Sequence, residues 1–289
     1  MLAAATVLTR RDALAAATEV LAAAGIDSPR ADAEWLLAGI LGVGRSALYL
    51  DTGLPSALAA RYDGAVRRRA LRIPLQRILG WEEFHGLRFR LTDAVLVPRP
   101  ETEVLVDWAL ALLPPPRPGR RLTAVDVGTG SGCIACALAW RRADVDVIAL
   151  DVSLEAVAAA KASVTSLGLD GRVHMVVDDL LTAVQPGRAD LIVSNPPYLP
   201  TGSLGSLAPE VRDHEPRLAL DGGPDGLHVI RRLVSEAGRR LTPGGVLALE
   251  TAGGAQAPAV ADLMNEAGFL HVLVHNDLAG IERFVAGRG

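Results

Sequence analysis

The feature of the sequence that most constrains the fold is a regular alternation of strand-like and helix-like segments after residue 120. Short runs rich in Val, Leu and Ile, such as RLTAVDVG, DVDVIALD and ADLIVSN, alternate with longer helical runs such as SLEAVAAAKASVTSLG. Strands separated by helices favour a mostly parallel sheet with helices on both faces. The last two runs, HVLVHND and ERFVAG, are joined only by LAGI and should form an antiparallel hairpin at one edge. We therefore predict an α/β fold with a seven-stranded sheet.

The first 75 residues contain no strand-like alternation and are predicted to form a small helical bundle. The segment TRRDALAAATEVLAAAG has a candidate N-cap at Thr9 and a stop at Gly25. In SPRADAEWLLAGILG, Ser28 is the candidate cap, Pro29 takes the first helical position and Gly42 follows the last turn. A third region, LPSALAARYDGAVRRRALRIP, carries a cluster of arginines that we interpret as a solvated helix face: Arg67, Arg68, Arg69 and Arg72. Contact of that cluster with an acidic partner or RNA is the alternative.

Between the bundle and the α/β part, the pattern changes to alternating polar and apolar residues. The segment ILGWEEFHGLRFRLTDAVLVPRPET alternates around Gly86 and predicts a β-hairpin that links the two halves. A helix over ETEVLVDWALALL then ends at the stiff linker PPPRPG. The predicted boundaries are 1–75 for the bundle, 76–98 for the hairpin and 99–289 for the α/β domain.

Composition narrows the class of protein. Half of the residues are hydrophobic, so a substantial core can form. A net charge of −4 argues against broad nucleic-acid binding, and no apolar stretch reaches the roughly 20 residues that span a membrane. The two cysteines, Cys133 and Cys136, lie in an Ala-rich helical segment and are expected to be buried rather than to bind metal. We expect a soluble, cytoplasmic protein without a metal, and we expect no direct binding to nucleic acid or membrane.

A glycine-rich turn follows the first strand of the α/β part. In VDVGTGSG, Asp126 ends the strand and Gly128, Gly130 and Gly132 precede a helix. Glycines permit a tight turn and let backbone amides approach a ligand. Asp151, at the end of the next strand, is placed to accept hydrogen bonds from ribose hydroxyls. The spacing G-x-G-x-G, with an acid two residues before the first glycine, resembles the S-adenosylmethionine site of class I methyltransferases rather than a dinucleotide fingerprint.

Two further acids, Asp178 and Asp179, close the third strand. Asp179 stands last in VVDD and is the one that we expect to accept a hydrogen bond from the adenine amino group of the cofactor. A solvated turn carboxylate is the alternative for Asp178. Because the carboxyl ends of parallel strands share one edge of the sheet, these acids should face the glycine-rich turn.

The motif NPPY closes the fourth strand at the same edge. The side-chain oxygen of Asn195 and the carbonyl of Pro196 can each accept one N–H of a planar NH2 group. Two acceptors on a rigid loop orient that nitrogen and favour positive charge developing on it. Tyr198 can stack on a planar substrate or lie near a cationic sulfonium. A plain strand terminator is the alternative, and neither a metal nor a covalent enzyme intermediate is required.

Taken along its length, the sequence resembles the HemK/PrmC family, the protein glutamine methyltransferases of peptide-chain release factors. The segments that carry the resemblance are PLQRILGWEEFHGLRF, VLVPRPETEVLV, DVGTGSGCIA, IVSNPPY, EPRLALDGGPDGL and ERFVAGR. Methyltransferases with a similar PPY loop also modify adenine or guanine amino groups, so the loop specifies only an NH2 acceptor. The hairpin segment and EPRLALDGGPDGL narrow the resemblance to the branch that acts on protein glutamine.

The resemblance implies a Rossmann-like class I methyltransferase domain and a helical bundle that docks the substrate. It also implies S-adenosylmethionine as cofactor, S-adenosylhomocysteine as product, and as substrate the glutamine of the Gly-Gly-Gln motif in bacterial class I release factors. Cofactor contacts are then expected from Asp126, Gly128, Thr129, Gly130, Ser131, Gly132, Asp151, Asp179, Leu180 and Asn195. Substrate contacts are expected from Asn195, Pro196, Pro197 and Tyr198, of which Asn195, Pro196 and Tyr198 are assigned to catalysis.

For several other positions of the family pattern, the sequence allows either a functional or a structural role. The segment PRPET, residues 98 to 102, is expected to pack near the cofactor through Arg99, Pro100 and Glu101, and Glu215 is expected to order the loop after the active site. A structural Arg–Glu pair is the alternative for both. The segment ETAGGAQ departs from the family pattern, so we assign no role to Glu250 or Gln256 at this stage. Position 180 is leucine where relatives often have an aromatic residue, which implies a looser adenine slot.

Alternative functions compete with methylation of a release factor. The same site chemistry permits glutamine methylation of a ribosomal protein. Methylation of an amino group in DNA or RNA would call for a basic stripe or a recognition domain, which the net charge and the small bundle do not favour. A non-enzymatic scaffold has no need for an intact NPPY loop, and a nicotinamide dehydrogenase would need a different glycine spacing.

Overall fold

The structure is a computed structural model that describes residues 9–50, 53–116 and 119–289. Residues 1–8 of the predicted bundle and residues 117 and 118 of the predicted linker lie outside the described residues. The α-helices of the described residues are α1 (Arg10–Ala23), α2 (Pro29–Leu41), α3 (Ser56–Ala70), α4 (Leu75–Leu79), α5 (Pro100–Leu112), α6 (Cys133–Arg141), α7 (Leu154–Ser166), α8 (Pro209–Arg212), α9 (His228–Arg240) and α10 (Gln256–Glu266). The strands are β1 (Trp81–Phe84), β2 (Leu87–Arg90), β3 (Leu122–Val127), β4 (Val145–Asp151), β5 (Val173–Val177), β6 (Ala189–Ser194), β7 (Leu241–Glu250), β8 (Leu270–Asn276) and β9 (Glu282–Arg288).

The larger sheet contains seven strands in the order β5-β4-β3-β6-β7-β9-β8. Strands β3 to β7 are parallel, whereas β9 pairs antiparallel with both β7 and β8. The predicted mostly parallel sheet and its antiparallel edge hairpin are thus confirmed. Because β3 lies between β4 and β6, the chain reverses its direction of travel across the sheet there, and ligands of such sheets bind at the carboxyl ends of these strands.

The chain forms two compact units, one of residues 1–80 and 208–214 and the other of residues 81–207 and 215–289. In the first unit, α1, α2 and α3 enclose a hydrophobic core of their own. Helix α1 begins as predicted because the hydroxyl of Thr9 accepts a hydrogen bond from the amide of Asp12 at 3.1 Å. Helix α2 ends at Gly42, whose φ of 66° favours glycine. The short helix α4 and a 3₁₀ turn at Arg45–Tyr49 were not predicted.

The first unit also contains residues 208–214, which come from far along the chain. Arg69 of α3 donates to Asp32 at 2.6 Å and to Glu210 at 2.9 Å, and Arg72 donates to the other carboxylate oxygen of Glu210 at 2.8 Å. Arg69 is only 7% exposed. The interpretation of the arginine cluster as a solvated face is therefore wrong for Arg69, because two carboxylates compensate its buried charge.

The second unit contains the large sheet and the β1–β2 hairpin. The hairpin turns at His85 and Gly86, whose φ values of 49° and 72° match the tight turns that join paired strands. Phe84, Leu87 and Phe89 of the hairpin join a core that covers one face of the sheet together with α5 and α6. A separate core with α9 and α10 covers the other face. Helices cover both faces of the central strands, as predicted, and the carboxyl ends of the parallel strands stay open to a ligand.

None of the helices among the described residues combines the length and the apolar character needed to cross a membrane.

Candidate functional site

A cavity of about 510 Å³ lies at the carboxyl ends of the parallel strands of the second unit. Its volume is in the range of pockets that hold small ligands. The loops that follow β3, β4, β5 and β6 each contribute to the wall, as do segments 94–99 and 216–219, Thr102 of α5, and residues of α6, α7 and α9. Of the predicted site residues, those that line the cavity are Gly128, Thr129, Gly130, Ser131, Asp151, Asp179, Leu180, Asn195, Pro196 and Pro197.

The glycine-rich turn after β3 brings its backbone to the cavity. The amides of Gly128 and Thr129 both donate to the carbonyl of Leu150 at 2.8 Å, which ties the turn to the end of β4. Gly130 has a φ of 53°, and a side chain there would project into open space. Gly132 is a packing position outside the cavity wall, because an added Cβ would lie 3.1 Å from the Cβ of Ala160 in α7. The turn thus exposes backbone at residues 128 to 131.

Asp126 lies beneath this turn and is fully buried, so it is not one of the residues that line the cavity. One of its carboxylate oxygens accepts from the hydroxyl of Thr129 at 2.6 Å and from the amide of Ala135 at 3.1 Å. Burial raises the pKa of Asp126 to about 7, although these two hydrogen bonds oppose the shift. Asp126 therefore holds the turn against the start of α6, and its predicted contact with the cofactor stays a prediction.

The raised pKa of Asp126 implies a pH-dependent stability that the variant Asp126→Asn should lack. A carboxyl group whose folded pKa is raised contributes stability at low pH that is lost as pH rises through about 7. The unfolding free energy of the variant, relative to the wild type, should therefore increase by about 2 kcal/mol between pH 5 and pH 8. Urea unfolding followed by tryptophan fluorescence at both pH values measures this difference. A difference that is constant or decreases with pH would contradict the expectation.

The two acids that line the cavity, Asp151 and Asp179, have different partners. Asp151 accepts from the amides of Gly130 and Ser153, each at 2.9 Å, and so joins the glycine-rich turn to the start of α7. Asp179 accepts from Arg232 of α9 at 2.8 Å, and its side chain is 55% exposed. Asp178 also lines the cavity, but its carboxylate accepts from the hydroxyl of Thr182 and, at 2.8 Å, from the amide of Ala183. Hydrogen bonds within its own turn thus engage the carboxylate of Asp178. Asp179 is the more exposed of the two, and its predicted contact with the adenine amino group stays a prediction.

The NPPY loop follows β6 and is fixed to its surroundings at several atoms. Just before it, the hydroxyl of Ser194 donates to the carbonyl of Val127 at 2.6 Å, which holds the ends of β3 and β6 together. The side-chain nitrogen Nδ2 of Asn195 donates to Oγ1 of Thr102 in α5 at 3.1 Å. Tyr198 does not line the cavity; it packs against the second core and its hydroxyl donates to Glu250 at 3.3 Å. Asn195, Pro196 and Pro197 are therefore the part of the loop that faces the cavity.

Three residues that sequence reasoning left without a role support this loop: Thr102, Glu250 and Gln256. The hydroxyl of Thr102 donates to Glu250 at 2.8 Å. Gln256 donates to the carbonyl of Tyr198 at 3.0 Å, and its own side-chain oxygen accepts from the amide of Ala252 at 2.7 Å. Glu250 stands at the carboxyl end of an apolar strand, as Asp126 and Asp151 do, and that position was a usable signal in the sequence. Glu250 can reach the NPPY loop because β7 lies beside β6, and the sequence pattern does not show this strand order.

The segment PRPET and Glu215 meet at the wall of the cavity. Glu215 is buried and accepts from the amide of Val97 and from Arg99, both at 3.4 Å. Arg99 lines the cavity, as do residues 216, 218 and 219 beyond Glu215. Pro100 and Glu101 are exposed and lie outside the cavity wall. The structure thus pairs Arg99 with Glu215 beside the cavity, and a cofactor contact by either stays a prediction.

Cys133 and Cys136 are buried in α6, and burial raises the pKa of the Cys133 thiol to about 12. Both were predicted to be buried helix residues, and this is confirmed. Within the described ranges, no group of three or more His, Cys, Asp and Glu residues is arranged to hold a metal ion.

Comparison with known families gives two matches. Residues 12–80 match the family described as PrmC N-terminal domain, and residues 106–205 match the family described as Methyltransferase small domain. The first match lies in the helical unit and the second includes the glycine-rich turn and the NPPY loop. The two halves of the chain thus have separate family matches.

Curated proteins named release factor glutamine methyltransferase are similar to nearly the whole chain. The protein of Cereibacter sphaeroides is 45% identical over 279 residues, which cover 96% of this chain and 97% of the relative. That of Geobacter sulfurreducens is 43% identical over 270 residues, with 93% and 92% covered. That of Mycolicibacterium smegmatis is 42% identical over 277 residues, with 95% and 96% covered.

Solved structures share the fold at low sequence identity. A methyltransferase from Pyrococcus furiosus superimposes with a TM-score of 0.52 at 19% identity, over 70% of this chain and 89% of that chain. The hMettl16 catalytic domain in complex with MAT2A 3'UTR hairpin 6 gives a TM-score of 0.57 at 15% identity, over 80% of this chain and 81% of that chain. These two structures establish a methyltransferase fold and nothing narrower.

Proposed function

The chain belongs to the release factor glutamine methyltransferase family, and from this membership we propose that it methylates the glutamine of the Gly-Gly-Gln motif in bacterial class I release factors. In this proposal the side-chain amide nitrogen of that glutamine would receive a methyl group from S-adenosylmethionine, with S-adenosylhomocysteine as the second product. The reaction would tune translation termination, and the protein would work in the cytoplasm. The observation that carries the proposal is the position of Asn195. This residue lines the cavity, and its Nδ2 donates a hydrogen bond to Thr102.

The residues of the cavity fit S-adenosylmethionine. The backbone at residues 128 to 131 has room beside it because Gly128 and Gly130 carry no side chain. Asp151 and Asp179 present carboxylate oxygens that suit ribose hydroxyls and the adenine amino group, respectively. Leu180 adds an apolar side chain to the cavity wall, and its φ of 58° is unusual for leucine. When bound, the cofactor supplies an electrophilic methyl group on a cationic sulfur.

The NPPY loop would prepare the amide nitrogen for attack. Oδ1 of Asn195 and the carbonyl of Pro196 would accept the two N–H groups of the glutamine side chain. An amide nitrogen is a weak nucleophile because its lone pair is delocalised, and it would gain positive charge as it accepts the methyl group. Acceptors that are already in place stabilise that charge more strongly in the transition state than in the ground state. The methylated nitrogen then releases one of its two protons to a water molecule, which leaves the neutral N-methylamide.

The fixed geometry of the loop supports this role. Two prolines remove two backbone donors and restrict φ, so the carbonyl of Pro196 has little freedom. Gln256 holds the carbonyl of Tyr198, and Ser194 holds the other end of the loop against β3. Acceptors that do not reorganise during the reaction are the ones that lower its barrier most. The loop is therefore suited to hold the reacting nitrogen rather than only to end a strand.

The predicted division of the chain is part of the proposal. Residues 1–75 would dock the release factor, residues 76–98 would link, and residues 99–289 would bind the cofactor and catalyse transfer. The match of residues 12–80 to the PrmC N-terminal domain supports a docking role that goes with this substrate rather than with methyltransferases in general. The proposal includes no binding to nucleic acid or membrane.

Transfer of labelled methyl from S-adenosylmethionine tests the proposal. Purified release factor, its Gly-Gly-Gln variant with alanine in place of glutamine, a ribosomal-protein mixture and ribosomal RNA are compared as acceptors. We expect label on the wild-type release factor alone, and its loss when the enzyme carries Asn195→Ala. Label on a ribosomal protein or on RNA, with release factor blank, would mean that the NH2 pocket is correct and the partner wrong.

A further inference from the structure

Four side chains form a hydrogen-bonded chain between the buried end of β7 and the cavity. Nδ2 of Asn195 donates to Oγ1 of Thr102 at 3.1 Å, and Oγ1 of Thr102 donates to Oε2 of Glu250 at 2.8 Å. The hydroxyl of Tyr198 donates to Oε1 of Glu250 at 3.3 Å. Thr102 and Glu250 are 2% and 1% exposed. Asn195 is the member of the chain that would touch the substrate.

The ionised carboxylate decides the direction of every bond in this chain. A carboxylate has only acceptor atoms, so both hydroxyl groups must donate to it. Thr102 has a single hydroxyl proton, and once that proton points to Glu250 its oxygen can only accept from Asn195. Asn195 must therefore turn its NH2 group to Thr102. Its oxygen, Oδ1, is then the polar atom left for the cavity that the residue lines.

Packing alone does not choose this orientation, because the oxygen and the NH2 group of an asparagine side chain have nearly the same size and shape. In the reverse orientation, Asn195 would present N–H donors to the N–H groups of the substrate. Two donors that face each other cannot bond, and each loses its hydration on binding. The reaction thus needs a device that distinguishes the two ends of the amide.

We propose that Thr102 and Glu250 are positioning residues that turn the oxygen of Asn195 toward the methyl-accepting nitrogen. This inference rests on the proposed function and adds two residues to it. Glu250 lies outside the cavity wall, whereas Thr102 lines the cavity beside Asn195 and directs its hydroxyl proton to Glu250. In this proposal both residues act through the amide of Asn195. Glu250 accepts the hydroxyl proton of Thr102. The oxygen of Thr102 can then only accept, so Asn195 must turn its NH2 group toward it.

The protonation state of Glu250 should make kcat depend on pH. Burial raises the pKa of Glu250 to about 7, against the opposing effects of Thr102, of Arg283 on β9 and of Tyr198, while Glu101 on α5 raises it slightly further. A protonated Glu250 could donate to Thr102, and Thr102 would then be free to donate to Oδ1 of Asn195. Because that exchange reverses the amide, kcat should fall as pH is lowered through about 7.

Three variants test the proposal. Thr102→Val has nearly the same shape without the hydroxyl, so kcat is expected to fall about 10- to 100-fold while the Kd of S-adenosylmethionine changes less than about 3-fold. Thr102→Ser keeps the hydroxyl and should stay within about 3-fold of the wild-type kcat. Glu250→Gln imitates the neutral acid, since its NH2 group can donate to Thr102. We expect a kcat about 10- to 100-fold lower in this variant, and without the acid limb of the wild-type pH profile.

A double variant in the Asn195→Ala background tests whether Thr102 acts by positioning Asn195 or through a general structural role. If Thr102 acts through Asn195, adding Thr102→Val to Asn195→Ala should lower kcat less than about 2-fold further. An equal loss in both backgrounds, or a wild-type kcat in Thr102→Val, would overturn the inference and leave the proposed function intact. Failure of the wild-type enzyme to label any release factor would overturn the proposed function, and the inference with it.

Discussion

Truncation of Asn195 to alanine is expected to lower kcat for methyl transfer about 10²- to 10³-fold, the range measured when one fixed hydrogen-bonding group of a transition state is removed. The side chain lines the cavity, and in the proposed function its Oδ1 would accept from an N–H of the substrate, a bond that would strengthen as charge develops on the nitrogen. Its loss should act mainly on kcat rather than on cofactor affinity, because the cavity is formed by many other residues. Single-turnover rates with labelled S-adenosylmethionine and equilibrium dialysis of the cofactor measure the two effects.

The matched control for this variant is Asn265→Ala. Asn265 is an exposed residue of α10 with the same side chain and no place in the cavity wall. Its replacement should leave kcat and the cofactor Kd unchanged within error. If Asn195→Ala kept a kcat within about 3-fold of the wild type, the role given to the NPPY loop would be wrong.

Gly226→Ala is expected to have the second large effect, a loss of at least about 100-fold in kcat/KM together with a lower Tm. A Cβ at this position would overlap the carbonyl oxygen of Tyr198 and would lie 2.9 Å from Nε2 of Gln256. The carbonyl belongs to the NPPY loop and cannot yield without moving the acceptors. The φ of 76° adds about 1–2 kcal/mol of strain for any residue with a side chain. Steady-state kinetics and thermal unfolding measure the two losses.

The variant Gly244→Ala is the control that distinguishes the two causes of the expected Gly226→Ala effect, steric overlap and backbone strain. Gly244 has a nearly identical φ of 78°, but an added Cβ there would meet nothing within 4 Å. This variant should lose about 1–2 kcal/mol of stability, from strain alone, and keep its activity. Equal losses of activity in the two variants would show that strain, and not displacement of the loop, accounts for the effect.

Patterns that repeat along the chain predicted most of the fold. Alternation of strands and helices predicted the mostly parallel sheet, and local cap residues placed the ends of α1 and α2, because both depend on neighbours in sequence. The short helix α4 has too few residues to show a period. It occupies part of the segment in which the alternating pattern of the hairpin was expected to begin.

The candidate site could be predicted only where a residue acts from the end of its own strand. Asp151 and Asn195 follow this rule, since the carboxyl ends of β4 and β6 meet at one edge. Asp126 follows the same rule, yet the structure buries it below the turn, because a strand end does not specify whether a side chain points up or down. The bond between Thr102 and Glu250 joins residues 148 positions apart, and it depends on where α5 and β7 lie in the unit. No periodic pattern carries that information.

The segment of residues 208–214 has a consequence for how the gene could be recombined. Its Glu210 is the partner of Arg69 and Arg72, so the helical unit is assembled from two separate stretches of the chain. A hybrid that takes residues 1–80 from a relative but keeps its own residues 208–214 would combine a guanidinium and a carboxylate that did not evolve together. An unpaired buried charge costs several kcal/mol. The bundle and the loop beyond the NPPY motif should therefore be inherited as one module, even though about 130 residues separate them in sequence.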